Sequence, residues 1–448
     1  MTPEDLLVDP RFGLVTELVM QRGKPGLPPA WVGCSAKVAD TVRGGAAATD
    51  RYGFGASLAD PARARGAALG EAVERYCGNL VPERLPVRPY DAWRADGVDA
   101  VDPAEFALYS AAQHATPGFP FVPFTRDLEV AWVNGTDLRT GADVWVPASL
   151  VYLNYYRGAH AGEPPTNALS YAGIATGVSA EHARRGALEE LFERDASTLW
   201  WASGAPAEVV ADAEEVTDAF ADPDAGRREI RVLRLPAQFR APVLAAFVTD
   251  PDRGMIAFGT ACRADAREAA TKAVVEAFAV LELTAELVAP DSELWRAVEA
   301  GSLGAHVFKP RRADRAYRQD FRDDFRDLVD LPAVAQLYLD PEMQGEPLNR
   351  LRETGPATSF DEIPEPGDYV EELHAAGLRA IEVDLTTADV AAAGLHVVRV
   401  VVPGLYGNAP AAFPYRGGTR LYTEPVRLGW VPGPLTESGL VRYPIPLA

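Results

Sequence analysis

Two short acidic phrases carry the strongest chemical signal in this sequence: Glu71-Ala72-Val73-Glu74-Arg75 and Glu190-Leu191-Phe192-Glu193-Arg194. In each, the glutamates stand three residues apart, so on a helix both carboxylates lie on one face. Four carboxylates gathered beside a core repel one another unless cations compensate them. Hard oxygen donors suit Mg2+, which keeps some of its water and bridges to phosphate oxygens. The guanidinium groups of Arg75 and Arg194 match phosphate bidentately. Such a set handles ATP without a P-loop. One phrase of this kind on an amphipathic helix is ordinarily a surface glutamate pair with a local salt bridge. Two copies on separate core helices leave both readings open.

The elements that must hold these phrases are legible around them. Asp60-Pro61 starts a helix, with Asp as the cap and Pro at the first helical position. It is expected to run to about Cys77 and stop at Gly78-Asn79. Ser179 caps a second helix over 180–201, and Asp265 with Glu268, at capping-box spacing, opens a third over 266–287. Leu69, Val73 and Tyr76 on the first helix, and Leu188, Leu191, Phe192 and Leu199 on the second, set the glutamates at the edge of a buried stripe. Strand-forming residues at 131–133 and 144–146, around Asn134-Gly135 and Thr140-Gly141, predict a hairpin. Residues 380–383 and 396–402 read as buried strands flanking a short helix at 388–393. Residues 1–45 form an expected extended lead-in, with short strand or turn pieces at 6–10 and 12–15. The main body, 46–448, opens on the Gly/Ala-rich stretch 44–48, and its tail from Pro432 is proline-punctuated and extended.

The bulk composition narrows the classes. With 48% apolar and 24% charged residues the chain is an ordinary globular protein. Its 43 Lys and Arg against 64 Asp and Glu give a net charge of -21, which disfavours nucleic acid and anionic membranes as partners. Cys34, Cys77 and Cys262 are far apart and form neither a disulfide framework nor a zinc site. The start at Met1-Thr2-Pro3 lacks signal-peptide character, and no run is apolar for long enough to cross a bilayer, so a cytoplasmic protein is expected.

The sequence around the acidic phrases resembles the YcaO family of ATP-using enzymes that modify peptide backbones. Gly53-Phe54-Gly55-Ala56-Ser57 followed by 67–76 is similar to the first ATP-binding motif of that family. The run Gly177-Val178-Ser179-Ala180-Glu181, then Gly186 and 190–196, is similar to the second, and Trp200-Trp201 fits after it. The azoline-forming branch is resembled at 7–13, 132–138, 146–148, 383–386 and 402–405, and in the closing Pro444-Ile445-Pro446-Leu447-Ala448. The resemblance implies an α+β fold with mixed or antiparallel sheets packed with helices and a nucleotide site between them. It implies that Glu71, Glu74, Glu190 and Glu193 hold Mg2+, that Arg75 and Arg194 contact ATP phosphates, and that Glu276 belongs to the nucleotide site. It further implies a cyclodehydratase: a Cys, Ser or Thr side chain attacks the preceding backbone carbonyl, ATP phosphorylates the amide oxygen, and phosphate leaves to give a thiazoline or oxazoline. Pro444, Pro446 and Ala448 of the tail would position or deprotonate the adduct. The implied partners are a precursor peptide, a separate leader-binding protein and a second copy of the chain.

The departures are specific. Phe54 stands where the family commonly has Lys, Ala67 where it has Ser, Val178 where Asn is usual, His182 where Glu is usual, and Ala279 where Gln is expected. Each removes a polar group near the nucleotide motifs, and those at Ala67, Val178 and His182 motivate a second expectation, a catalytically silent paralogue that scaffolds or docks peptide. A third keeps the enzyme but makes thioamides or amidines. His182, in the first turn of its helix, reads as a backbone-bonding residue before a metal ligand. The arginines and aspartates of 311–326 read as a solvated helix face before a peptide-docking one.

Overall fold

Three long helices and three sheets alternate around the molecule. The computed structural model describes residues 2–44, 50–301, 307–353, 355–407 and 409–447. Its strands are β1 (Val15–Gln21), β2 (Trp31–Val38), β3 (Tyr52–Leu58), β4 (Val87–Arg88), β5 (Val130–Asp137), β6 (Asp143–Pro147) and β7 (Ile174–Gly177). They continue as β8 (Glu208–Val210), β9 (Glu229–Arg234), β10 (Val243–Asp250), β11 (Met255–Cys262), β12 (Ala357–Thr358), β13 (Ile381–Asp384) and β14 (His396–Val401). The first sheet is β1-β2-β3, the second β4-β5-β13-β14-β7 with β6 on β5, and the third β11-β10-β9-β8-β12. Pairing is antiparallel except between β12 and β8. The expected α+β architecture of mixed sheets and helices is what the structure has.

The first long helix, Pro61–Asn79, lies on β2 and β3 and touches β7. The second, Ala180–Ser203, lies on β7 and β14 and touches β11. The third, Ala266–Val288, lies on β10 and β11 and touches β3. Each helix therefore belongs to one sheet and leans on the next, and the sequence of contacts closes on itself. Small residues make the first and third seats close. A Cβ on Gly55 would stand 2.3 Å from the Ala68 amide nitrogen, and one on Gly259 would stand 2.4 Å from Ala277 nitrogen and Ala273 oxygen. Ala64, Ala68 and Ala72 are fully buried on the facing side of the first helix.

The predicted caps form: Asp60 accepts from Arg63 nitrogen, Ser179 from His182 nitrogen and Asp265 from Glu268 nitrogen. The second half of the expected capping box is not made, because the Glu268 carboxylate instead meets Arg63 at 2.7 Å. The second helix ends at Gly204 with φ +74°. There Arg350 donates to the carbonyls of Trp200, Trp201 and Ala205, each at 3.0 Å, satisfying last-turn acceptors with a cation where the helix dipole favours one.

Three local expectations change. Asn134-Gly135 lies inside β5 and only Thr140-Gly141 forms the turn, because a residue larger than glycine at 135 would collide with the Glu382 carbonyl of β13. Pro3–Leu7 is a short helix, not a strand piece, closed by a Thr2–Asp5 capping box. Residues 311–326 form turns and the short 3-10 segment Tyr317–Asp320, not an α-helix, and their charges pair locally at the surface: Arg312 with Asp314 and Asp320, Arg318 with Asp323, and Arg322 with Asp324. Residues 15–38 of the lead-in supply β1 and β2 of the first sheet; most of the stretch 44–48 lies outside the described residues. Among the described residues, no helix is long and apolar enough to cross a membrane.

Candidate active site

The glutamates of the two phrases act as paired hooks between sheets. On the first helix, Glu71 Oε2 accepts from the Phe54 amide of β3 at 3.2 Å, which holds the helix to its own sheet. One turn later, Glu74 Oε1 accepts from the Thr176 amide of β7 at 2.7 Å, which holds it to the next sheet. The second helix repeats the device. Glu190 Oε2 accepts from the Gly173 amide, just before β7, at 3.0 Å, and Glu193 Oε1 accepts from the Thr260 hydroxyl of β11 at 2.6 Å. The three-residue spacing gives both carboxylates one face, and that face looks into the seam between sheets.

Glu74 and Glu190, from different helices, are thus fixed to backbone amides three residues apart along one stretch of chain. Burial, followed by the Glu71 and Glu190 carboxylates, pushes the Glu74 carboxyl up to about 8. Burial also raises Glu190, although Arg194, the Gly173 amide and Arg399 work against the shift. Arg75 donates to Glu71 at 2.8 Å and stacks 3.9 Å over the Tyr171 ring. Arg194 stands 3.4 Å from Glu193 and 3.9 Å from Glu190. Burial disfavours its charge, but Glu193, Glu190 and Glu276 together outweigh this and hold its pKa above the ordinary arginine value. Glu276, on the third helix, pairs with Lys272, and it joins the site through Arg194.

The donor set fits Mg2+ in a particular way. Among the described residues, no three acidic, His or Cys side chains converge into a ready cage. The four glutamates instead line a seam, the arrangement Mg2+ tolerates when one or two carboxylates are completed by water and phosphate. Burial and the Glu71 and Glu190 carboxylates disfavour a charged Glu74 even with Arg75 and the Thr176 amide beside it, and a cation would offset that cost. Glu71, Glu74, Glu190 and Glu193 are the side chains that would hold one.

The positions that depart from the expected pattern have definite surroundings. Phe54 stacks on Trp31 with ring centroids 6.2 Å apart, and the Trp31 indole N–H donates to the Val275 carbonyl of the third helix. Hydrocarbon there ties the first sheet to the third helix, and Ala279, one turn beyond Val275, packs on the same core. Ala67 and Val178 are exposed. His182 accepts from the Val178 amide at 3.5 Å through Nδ1, the backbone contact expected of it.

Of the tail, Pro444 and Pro446 are buried and Ala448 lies outside the described residues. The Tyr338 hydroxyl donates to the Pro444 carbonyl and the Trp201 indole N–H to the Tyr443 carbonyl, the latter at 2.7 Å. The tail closes a cavity of about 110 Å³ whose walls include Thr198, Trp201, Tyr415, Arg442, Pro444 and Leu447. Thr198 stands one turn beyond Arg194 on the second helix, so one wall of the cavity belongs to the helix that carries Glu190, Glu193 and Arg194.

Sequence reasoning missed the groups that fix the carboxylates. Three are backbone amides and leave no residue signature. Thr260 sits mid-strand with no spacing to mark it. Arg399 is also silent in sequence: it is 4% exposed, and donates to the Tyr171 and Leu150 carbonyls at 3.2 and 3.1 Å. It thereby supports the tyrosine under Arg75.

Comparison with known proteins bears on the family and the fold. The family model described as YcaO cyclodehydratase, ATP- and Mg2+-binding, matches residues 55–406. An uncharacterized protein of Methanothermobacter thermautotrophicus is 26% identical over 230 residues, 48% of this chain and 53% of its own. The chain thus spans about half the length of that curated relative. A heterocyclase solved in complex with substrate and cofactor superposes with TM-score 0.69 at 23% identity, over 100% of this chain and 57% of its own. YcaO from Methanopyrus kandleri, bound with AMPPCP and Mg2+, superposes with TM-score 0.54 at 20% identity, over 88% of this chain and 90% of its own. These likenesses show a shared fold, and with the family match they establish that the chain belongs to the YcaO family.

Proposed function

We propose that this chain is the ATP-using subunit of a peptide cyclodehydratase. A Cys, Ser or Thr side chain of the peptide adds to the preceding carbonyl carbon, and the former amide oxygen takes the γ-phosphoryl group of ATP, releasing ADP. Phosphate then leaves as the amide nitrogen loses its proton and the C=N bond of the azoline forms. Arg75 and Arg194 bind phosphate oxygens and stabilise the charge in transit. Bound Mg2+ supplies further neutralisation of those oxygens. Glu71, Glu74, Glu190 and Glu193 orient and hold the metal, with Glu276 and Lys272 setting the field around Arg194. Of the tail, Pro444 lines the cavity that would receive the peptide, and Pro444, Pro446 and Ala448 position or deprotonate the adduct. A separate leader-binding protein delivers the precursor peptide, and the chain works as a homodimer.

The observation that carries this reading is the seam at β7, where Glu74 of one helix and Glu190 of another accept from the Thr176 and Gly173 amides of one short stretch; burial, then the Glu71 and Glu190 carboxylates, pushes Glu74 up to about 8 there. Calorimetric titration with Mg-ATP tests it first, with binding expected below millimolar. Mass spectrometry of the precursor peptide after incubation with Mg-ATP and the partner protein is expected to show a loss of ~18 Da per cyclised residue by bond counting. The absence of nucleotide binding at millimolar concentration overturns the reading in favour of a silent, peptide-docking paralogue. That reading draws on the hydrocarbon at Phe54 and Ala279. A gain of ~16 Da instead indicates thioamide formation.

A further inference from the structure

Four hydrogen bonds aim the four glutamates, and they are not equivalent. Glu71, Glu74 and Glu190 are each held by a main-chain amide, which no side-chain substitution at the donor deletes. Glu193 is held by a side chain, the Thr260 hydroxyl, at 2.6 Å between two buried residues. That length belongs to a strong hydroxyl-to-carboxylate bond. Thr260 lies on β11, paired with Ala245 of β10, so its Oγ1 is fixed by a strand of the third sheet while Glu193 belongs to a helix seated on the second. The β-branched side chain has few rotamers, and the hydroxyl cannot drift without moving the strand. On the carboxylate side, Arg194 reaches the same Oε1 at 3.4 Å, so both contacts fall on one oxygen.

We infer that Thr260 is a positioning residue for the divalent cation: by holding Oε1 of Glu193 it turns the other carboxylate oxygen toward the seam. It also keeps Arg194 from folding fully onto Glu193. The inference rests on the proposed role of Glu193 as a metal ligand. In it, the third sheet, which contributes no acidic residue to the set, acts on the metal through one hydroxyl.

Thr260→Val preserves shape and β-branching and removes only the hydroxyl; Thr260→Ser keeps the hydroxyl and loses the methyl group. The test is Mn2+ binding in the presence of a non-hydrolysable ATP analogue, read by electron paramagnetic resonance on the full chain, beside thermal melting. Loss of an outer-shell partner is expected to weaken Mn2+ by about tenfold or more in Thr260→Val, with Thr260→Ser within about threefold of the parent. Equal Mn2+ affinity in parent and Thr260→Val overturns the role. So does a loss in Thr260→Ser as large as in Thr260→Val, because it marks packing and not the hydroxyl as the cause. If the parent chain itself binds no Mn2+, the metal-site reading fails first, and Thr260 loses its assigned purpose with it.

Discussion

Glu74 is the residue on which the electrostatics of the site turn. Its carboxyl is half-buried, bonded to a backbone amide, and still pushed up to about 8 by burial and by Glu71 and Glu190. A carboxyl raised in this way keeps a proton that the unfolded chain releases near its ordinary value of 4.5. The folded state therefore binds more protons between those values. The contribution of Glu74 is least unfavourable at acid pH, and stability falls as pH rises from about 4.5 through about 8. Glu74→Gln removes the titration but keeps an acceptor for the Thr176 amide. In the metal-free protein at pH 8 the substitution is expected to stabilise by about 1–2 kcal/mol, after discounting for partial exposure, and to flatten the pH dependence of melting. Mg-ATP should restore stability to the parent chain and much less to the variant. Melting curves at pH 6 and pH 8, with and without Mg-ATP, check both signs. A variant less stable than the parent at pH 8 would show that the carboxylate is already compensated.

At the scale of elements, the site depends on how closely helices sit on strands. The first helix approaches β3 so nearly that Gly55 has backbone atoms of Ala64 and Ala68 where its Cβ would be, at 2.5 and 2.3 Å. Backbone cannot rotate aside as a side chain can, so Gly55→Ala must push the helix off the sheet. Overpacking of this kind is expected to cost about 3 kcal/mol in urea unfolding. It also lengthens the Phe54–Glu71 hydrogen bond, so Mg-ATP affinity falls further than in a surface variant of equal stability. This packing explains what the sequence could and could not show. Helix starts and the caps Asp60, Ser179 and Asp265 were readable because capping is a local exchange between a side chain and the nearest free amides. The glutamate pairs were readable because helical periodicity fixes their face. Their partners were not: the Phe54, Thr176 and Gly173 amides look like any others until the sheets are assembled. Asn134-Gly135 misled for the same reason, since its glycine serves a neighbouring strand more than a hundred residues later in the chain.

At the scale of the whole molecule, each glutamate pair joins consecutive sheets, one carboxylate to its own sheet and one to the next. The third joint, from the third helix back to the first sheet, uses Trp31 and Phe54 instead. The four glutamates of the two phrases thus stand at two of the three seams. The second helix then continues past Arg194 to Thr198 and Trp201, where the tail is packed against it. Removal of residues 444–448 separates the two halves of the proposed reaction. Leu447 is buried and Pro444 accepts from Tyr338, so the truncated chain is expected to lose about 2 kcal/mol of stability. The carboxylates and arginines stand on other elements, so its Mg-ATP affinity should stay within about threefold of the parent. Azoline formation should fall by more than about tenfold, because the peptide amide is no longer held against the nucleotide. Paired calorimetry and product mass measurements on the truncated chain decide this. A parallel loss of affinity and turnover would make the tail a structural strap, whereas a loss of turnover alone places it at the reacting amide.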